Sequence, residues 1–419
     1  MTKANARRVP LRRNTTLAIL ILFLSAPAAA ADRTAGYEVP GLGGRVHLDA
    51  LARFEIADID GSRQSEAWTL RTRLGYGTAQ WRGLSAYAEL ESVLTPDDNS
   101  YFDGVAEPNG RSIIADPTEI ELNRAFVTYR TDRWNTRAVA GRQRIKLDDD
   151  RFVGNIGWRQ NEQTYDAALG ETSLGVEGLS LTYAYIWEVQ RIFGDDGPAN
   201  RRDFDSDTHL VRVGYDFAPW LEAAAFAYLM NFDNSPGNSA DSFGLRVSGE
   251  AAVADGLTAA YQASYAHQTD AGRNPVDYDA DYFFVDGAAK GARWGAVGVG
   301  YEVLGSDGGK ARFVTPLATA HKFNGWADAF LDNGGAGGLR DLYLYAAPKL
   351  PCGFTSRLVY HWFDSDDGGS DLGEEVDAIV SRAFGSQWVV LAKFAYFDAR
   401  NAGGRADTVR GWLQVELKV

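Results

Sequence analysis

From residue 45 onward, apolar and polar side chains alternate in about eighteen segments of roughly 9 to 13 residues, the length of a tilted membrane strand. They run from 45–56, 67–76, 83–94 and 119–130 through 136–147 and 163–170 to 387–397 and 406–419. In segment 136–147 the pattern is sharpest: Val139, Ile145 and Leu147 take one face, and Arg142, Arg144 and Lys146 take the other. A soluble sheet would turn its charged face to water, whereas a membrane barrel turns its apolar face to lipid and its polar face into a lumen.

The connections separate these two cases. Short ones, such as Thr131 to Trp134, Ala218-Pro219, Ala254-Asp255 and Gly385-Ser386, interleave with long polar ones near 95–118, 148–162, 192–207, 269–277, 305–338 and 364–372. That two-sided asymmetry predicts an all-β transmembrane antiparallel β-barrel of about eighteen strands, with short periplasmic turns and long extracellular loops. Aromatics at segment ends, among them Trp68, Trp81, Trp134, Trp187, Trp220 and Trp388, fit a girdle at lipid headgroup depth.

Composition agrees. There are 45 glycines and only 2 methionines, which favours strands and turns over helices. Lys3, Arg7, Arg8, Arg12 and Arg13 precede an apolar run from Leu17 to Leu24 and the small residues Ala28 to Ala31. This reads as a signal peptide over 1–31, leaving 32–419 as one exported barrel domain in the outer membrane of a Gram-negative bacterium. Removing those five basic residues from a net charge of −14 leaves −19, which argues against nucleic acid as a partner. Cys352 is the single cysteine, so no internal disulfide is available.

The inward register collects Arg53, Arg71, Arg73, Arg212, Arg246, Arg357, Lys393 and Arg410 beside Arg142, Arg144 and Lys146. A single inward arginine ordinarily pairs with a facing carboxylate. Three cations in successive inward positions read instead as an anion path. The stretch Phe313 to Leu331 lies in the longest connection between glycine-rich flanks, and it is too polar for a lipid-facing strand. Folding into the barrel mouth as a constriction would bury its aromatics, with Lys322, Asn324, Trp326 and Asp328 in the passage.

Catalytic and cofactor chemistry finds no foothold. The five histidines show no metal-ligand spacing, and no nucleophile and base stand together. Asp148, Asp149 and Asp150 lack the spacing of a calcium loop and read as a solvated acidic turn. The rivals to a channel are a barrel-embedded enzyme acting on lipid or glycan and a closed adhesive barrel.

Five stretches resemble the alginate export family of outer-membrane channels: ELNRAFVTY (121–129), GRQRI (141–145), RFVGNIGWRQNEQTYDA (151–167), PLATAHKFNGWADAFL (316–331) and GLRDLYL (338–344). The resemblance implies an eighteen-stranded barrel whose electropositive constriction passes a polyuronate. Within the matching motifs it carries selectivity roles to Arg124, Arg142, Arg144, Arg159 and Asp166. It also implies outer-membrane lipid, the barrel assembly machinery and periplasmic export partners as associates of a monomer. Uptake of small organic anions is the alternative cargo assignment.

Overall fold

The computed structural model describes residues 36–39, 43–400 and 404–419, so the expected signal peptide lies outside the described residues. The strands are β1 Tyr37–Val39, β2 Gly44–Ile59, β3 Ser65–Gly77, β4 Leu84–Leu94, β5 Glu119–Thr131, β6 Thr136–Gln143, β7 Thr164–Thr172, β8 Leu179–Gln190, β9 Asp203–Ala218, β10 Leu221–Met230, β11 Ala240–Ala254, β12 Leu257–Asp270, β13 Asp279–Gly291, β14 Gly295–Leu304, β15 Leu339–Pro348, β16 Phe354–Asp364, β17 Asp371–Phe384, β18 Trp388–Ala399 and β19 Thr408–Lys418. Each of β2 to β19 pairs antiparallel with the next. β19 returns to β2 from Thr408↔Ile59 to Lys418↔Asp49 and closes the barrel. The short β1 lies outside the ring and pairs only with the start of β2.

Alternation decides the two faces. On β2 and β3, Leu51, Arg53, Glu55, Thr69, Arg71 and Arg73 are buried inside, while Trp68, Leu70 and Leu74 are exposed outside. Trp81, Trp134, Trp187, Trp220 and Trp388 are exposed on the outer side, whereas Trp158 and Trp412 lie within.

The polar lumen expected from the sequence needs correction. Residues 144–163 and 305–338 fold inside the barrel and bind each other, with Gly154 N–H donating to the Leu317 carbonyl (2.8 Å) and Thr319 N–H to the Asp150 carbonyl (3.0 Å). Val153, Phe313, Leu317 and Phe330 join one apolar cluster with the wall residues Tyr228, Tyr282, Phe363, Phe397 and Trp412. Along β16, β17 and β18 the inward residues pass from Phe363, Leu372 and Phe397, near the long-loop end, to His361, Glu375, Asp377 and Lys393 deeper in. An apolar layer therefore sits over an ionic one.

Segment 136–147 also differs from expectation. β6 ends at Gln143, two residues after Gly141, which takes φ +116° where a Cβ would strike the Ala125 carbonyl oxygen. Arg144, Ile145, Lys146 and Leu147 belong to the inward-running loop, and Val139, Ile145 and Leu147 are buried rather than turned to lipid. The aspartates that follow form no solvated turn. Asp148 pairs with Arg212 (2.7 Å), Asp149 with Arg246 (2.8 Å), and Asp150 with Lys146 (3.2 Å).

Gly141→Ala should therefore destabilise the barrel by about 1–3 kcal/mol, the cost of forcing a side chain into a strained backbone region. Gly287→Ala on β13, where no heavy atom lies within 4 Å of the added Cβ, should be near neutral. Urea unfolding of the two variants in lipid micelles, followed by tryptophan fluorescence, checks the contrast.

Candidate functional site

The ionic layer between the two inner loops and the wall gathers most of the residues singled out from sequence. Arg144 donates from Nε to both oxygens of Glu162 (2.7 and 2.6 Å). Glu162 also accepts from Asn123 (2.8 Å) and Asn155 (2.6 Å) and lies 3.6 Å from Arg73. Burial alone would push the Glu162 carboxyl up, but the Arg73 and Arg144 guanidiniums outweigh it and hold the group far below the usual carboxylate range. Arg124 chelates Glu89 (2.9 and 2.6 Å) and stacks on Tyr87 at 4.7 Å. Glu89 is also 3.8 Å from Arg144, so Arg124 and Arg144 share one carboxylate neighbour.

A second knot fixes the longer loop. Asp328 accepts from Arg159 (2.7 Å) and from His321 Nδ1 (2.6 Å), and Arg159 reaches on to Glu55 (3.3 Å), which Arg410 also contacts (3.2 Å). His321 Nε2 accepts from Lys393 Nζ (2.7 Å), which fixes a neutral imidazole with its proton on Nδ1. The Lys393 ammonium lies 4.0 Å from the ring centres of both Trp158 and Trp326, one from each inner loop. Burial, reinforced by Lys393, pushes the His321 pKa down to about 3 despite the pull of Asp328. Burial opposes ionisation of Asp328, yet His321, Arg159 and Arg410 hold that carboxyl well below its ordinary value.

Backbone N–H groups of Trp326 and Ala327 donate to Asp377 (3.1 Å) and Glu375 (2.7 Å). Asn324, at φ +54°, accepts from Arg151 (3.0 Å) and donates to Glu302 (2.6 Å) and Asp341 (3.1 Å). Arg159, Asn324, Trp326 and Asp328 are thus attachment points between loop and wall. Lys322 and Lys146 stay about half exposed and meet at Asp150 (3.6 and 3.2 Å), although 176 positions separate them.

Arg142 and Asp166 stand apart. By register Arg142 falls on the side of Ala138 and Ala140, which are exposed, so it is not a rung of an inward ladder. Its guanidinium spans the break above the end of β6, donating to Asp166 (2.9 and 2.9 Å) and to the Leu122 carbonyl of β5 (3.2 Å). The unneutralised cation strip is corrected accordingly: each of Arg142, Arg144 and Lys146 has its own carboxylate.

Sequence reading missed Glu162, Trp158 and Glu375 as parts of this site, and it placed Lys393 among the inward cations without seeing what it holds. A signal existed in Arg159 to Thr164, RQNEQT, every residue of which is buried. It lacks the glycine, serine and aspartate usual in solvated loops.

Space remains in clefts toward the short-turn end, two of which adjoin at Gln262, Asp286 and Tyr345. One of about 260 Å³ is lined by His47, Tyr87, Glu89, Arg124, Arg144 and Lys418. Another of about 290 Å³ lies beneath Lys322, Asn324 and Trp326, and a vestibule of about 760 Å³ opens between Asp216, Arg246, Glu250 and Lys290.

No protein-family model matches the chain, and no curated protein matches it. Solved structures do match. Acinetobacter baumannii OccAB4 aligns at 14% identity over 90% of this chain and 98% of its own, with a TM-score of 0.69. Acinetobacter baumannii OccAB2 aligns at 13% identity over 92% and 99% with a TM-score of 0.70. Pseudomonas aeruginosa OpdK with vanillate aligns at 13% identity over 89% and 98% with a TM-score of 0.69. At these identities the likeness establishes a shared barrel fold, and it lends no support to the resemblance to the alginate export family.

The pH response of the inner loops follows from these groups. His321 titrates near 3 when docked and near 6.5 when released, so its contribution to docking is full above about pH 6.5 and is lost as pH falls toward 3. Asp328 and Glu162 have depressed values, so they add stabilisation that is lost as pH falls below their ordinary values of 3.8 and 4.5. Trypsin cleavage within 305–338 should therefore rise as pH drops from 7 to 5, and His321→Gln should flatten that rise.

Proposed function

We propose that the chain is a passive outer-membrane channel for small organic anions, with its short turns on the periplasmic side. The filled lumen carries this reading. Two loops packed to the burial of a protein core leave clefts of about 260 to 760 Å³, suited to small solutes rather than to a threaded polymer. OpdK, a barrel of the same fold, was crystallised with vanillate, a small aromatic carboxylate. The exposed apolar belt, including Leu74, Leu245 and Leu358, supports placement in lipid. Export of a polyuronate would require the inner loops to leave the lumen, against the ion pairs of Arg159, Glu162 and Asp328.

In this reading Arg124 and Arg144, edging the 260 Å³ cleft, and the half-exposed Lys146 and Lys322 guide the anion. Arg159, Asn324, Trp326 and Asp328 hold the constriction in place. Arg142 and Asp166 close the wall.

Planar-bilayer recording tests the proposal. The wild type should conduct with a preference for anions, and Arg124→Glu with Arg144→Glu should shift the reversal potential toward cations. Absence of conductance, or turnover of lipid or glycan, would reject it. Deleting Thr315 to Asp328 should raise single-channel conductance while lowering anion preference only modestly, since the wall arginines remain.

A further inference from the structure

The short-turn rim of the barrel sorts its charge. The turns between β3 and β4 (78–83) and between β5 and β6 (132–135) are neighbours, joined where Arg130 N–H donates to the Gly83 carbonyl (2.9 Å). Together with the end of β5 they carry Arg82, Arg130 and Arg133 against a single acid, Asp132. The next three short turns carry or adjoin Glu177, Asp216, Glu222 and Asp255 instead. Among the described residues Arg82, Arg130 and Arg133 form no ion pair, and all three are exposed.

Two of these arginines lie against tryptophans of the outer side. The Arg82 guanidinium is 5.2 Å from the ring centre of Trp81, and that of Arg133 is 4.4 Å from Trp134. Both rings are exposed, and Trp134 is held at φ +59°, a costly region for a bulky residue. The Trp134 ring reaches the turn between β7 and β8, where a Cβ on Gly175 would come within 3.2 Å of it.

Adjoining this turn, the outer face of β5 to β8 holds an apolar groove of about 400 Å³. Its lower row is set by register: Tyr129, Ala138, Gly170 and Tyr183 are successive partners across the four strands. Large rings therefore flank a floor of small residues, which Ala140 and Ala168 extend. Tyr129 also links the groove to the first turn, since a Cβ on Gly83 would stand 2.9 Å from its ring. Aromatic rings at a membrane surface lie at headgroup depth, where guanidiniums meet lipid phosphates. Arginine suits that partner because its planar fork can bind a phosphate through two parallel hydrogen bonds.

We infer that Arg82, Arg133, Trp81 and Trp134 form the headgroup site, and the groove the acyl-chain site, of one bound anionic phospholipid in the periplasmic leaflet. Arg130, two residues beyond the inward Thr128, adds its charge from the lumen side. The inference rests on the membrane placement proposed above and is independent of the cargo.

Native mass spectrometry of the purified barrel, mixed with equal amounts of phosphatidylglycerol and phosphatidylcholine of the same acyl chains, tests it. The wild type should retain one phosphatidylglycerol in preference to phosphatidylcholine. Arg82→Gln with Arg133→Gln, both at exposed positions, should lower that adduct by about tenfold or more. Filling the groove by Ala140→Leu with Ala168→Leu should lower it several-fold while the charges stay intact. Arg293→Gln, which removes an exposed arginine beside the exposed Trp294 on another short turn, should leave it unchanged. Equal retention of the two lipids by the wild type, retention unchanged in either double variant, or an equal loss in Arg293→Gln would overturn the inference. A wild-type dimer that Ala140→Leu with Ala168→Leu dissociates would also overturn it, assigning the groove to a second copy of the chain. Insertion and anion-selective conductance of the wild type in a phosphatidylcholine bilayer separate this failure from failure of the channel reading.

Discussion

The closed backbone ladder is the constraint on which the rest depends. Once β19 pairs with β2, every strand must send alternate side chains inward, whatever those residues are. In a barrel of eight strands such side chains can fill the interior, but at about eighteen they cannot meet across it. The chain supplies the missing volume with residues 144–163 and 305–338. Val153, Phe313 and Leu317 become as buried as any residue of a globular core. The apolar layer they build lies over the ionic layer, most of whose groups are shielded from solvent. In that shielded setting charge complementarity must be close to complete, because a buried ion left unpaired costs several kcal/mol.

That requirement explains why an acidic protein carries so many inward arginines. Arg159 is held by Glu55 and Asp328, Arg73 and Arg144 by Glu162, and Arg151 by Glu302. Each pair joins different parts of the chain, loop to wall or wall to wall. Lys393 works by another route, holding Trp158 and Trp326 through their ring faces and His321 through a hydrogen bond. Glu162, Asp328 and Glu55 each hold two partners, so both loops are set in place by interdependent contacts.

The strands were legible in the sequence because period-two alternation is a local property. The connections were legible because their lengths alternate. The end of β6 was not, since Arg144, Ile145, Lys146 and Leu147 go on alternating after pairing with β5 has stopped at Arg142. Extended loop and strand share that period, and only the loss of pairing beyond Gln143 separates them here. Loop entry at 305–338 could be read from aromatics stranded between glycines. Its partners could not, because Asp377, Glu375 and Lys393 look like ordinary inward residues until a loop arrives opposite them. Lys146 and Lys322 were each visible, but their meeting at Asp150 is a property of the folded loops. The charge of a residue showed in the sequence, and its neutralisation did not.

Closure between β2 and β19 also governs how the molecule must be made. Arg410 meets Glu55 across 355 positions, and Arg53 meets Gln414 across 361. No early fragment of the chain can form these contacts. Until β19 is synthesised, the sheet has two open edges and an apolar outer surface, the properties that lead to aggregation in water. The last strand is therefore a kinetic checkpoint, because the closed ring and the contacts of Arg53 and Arg410 form only in the final pairing step.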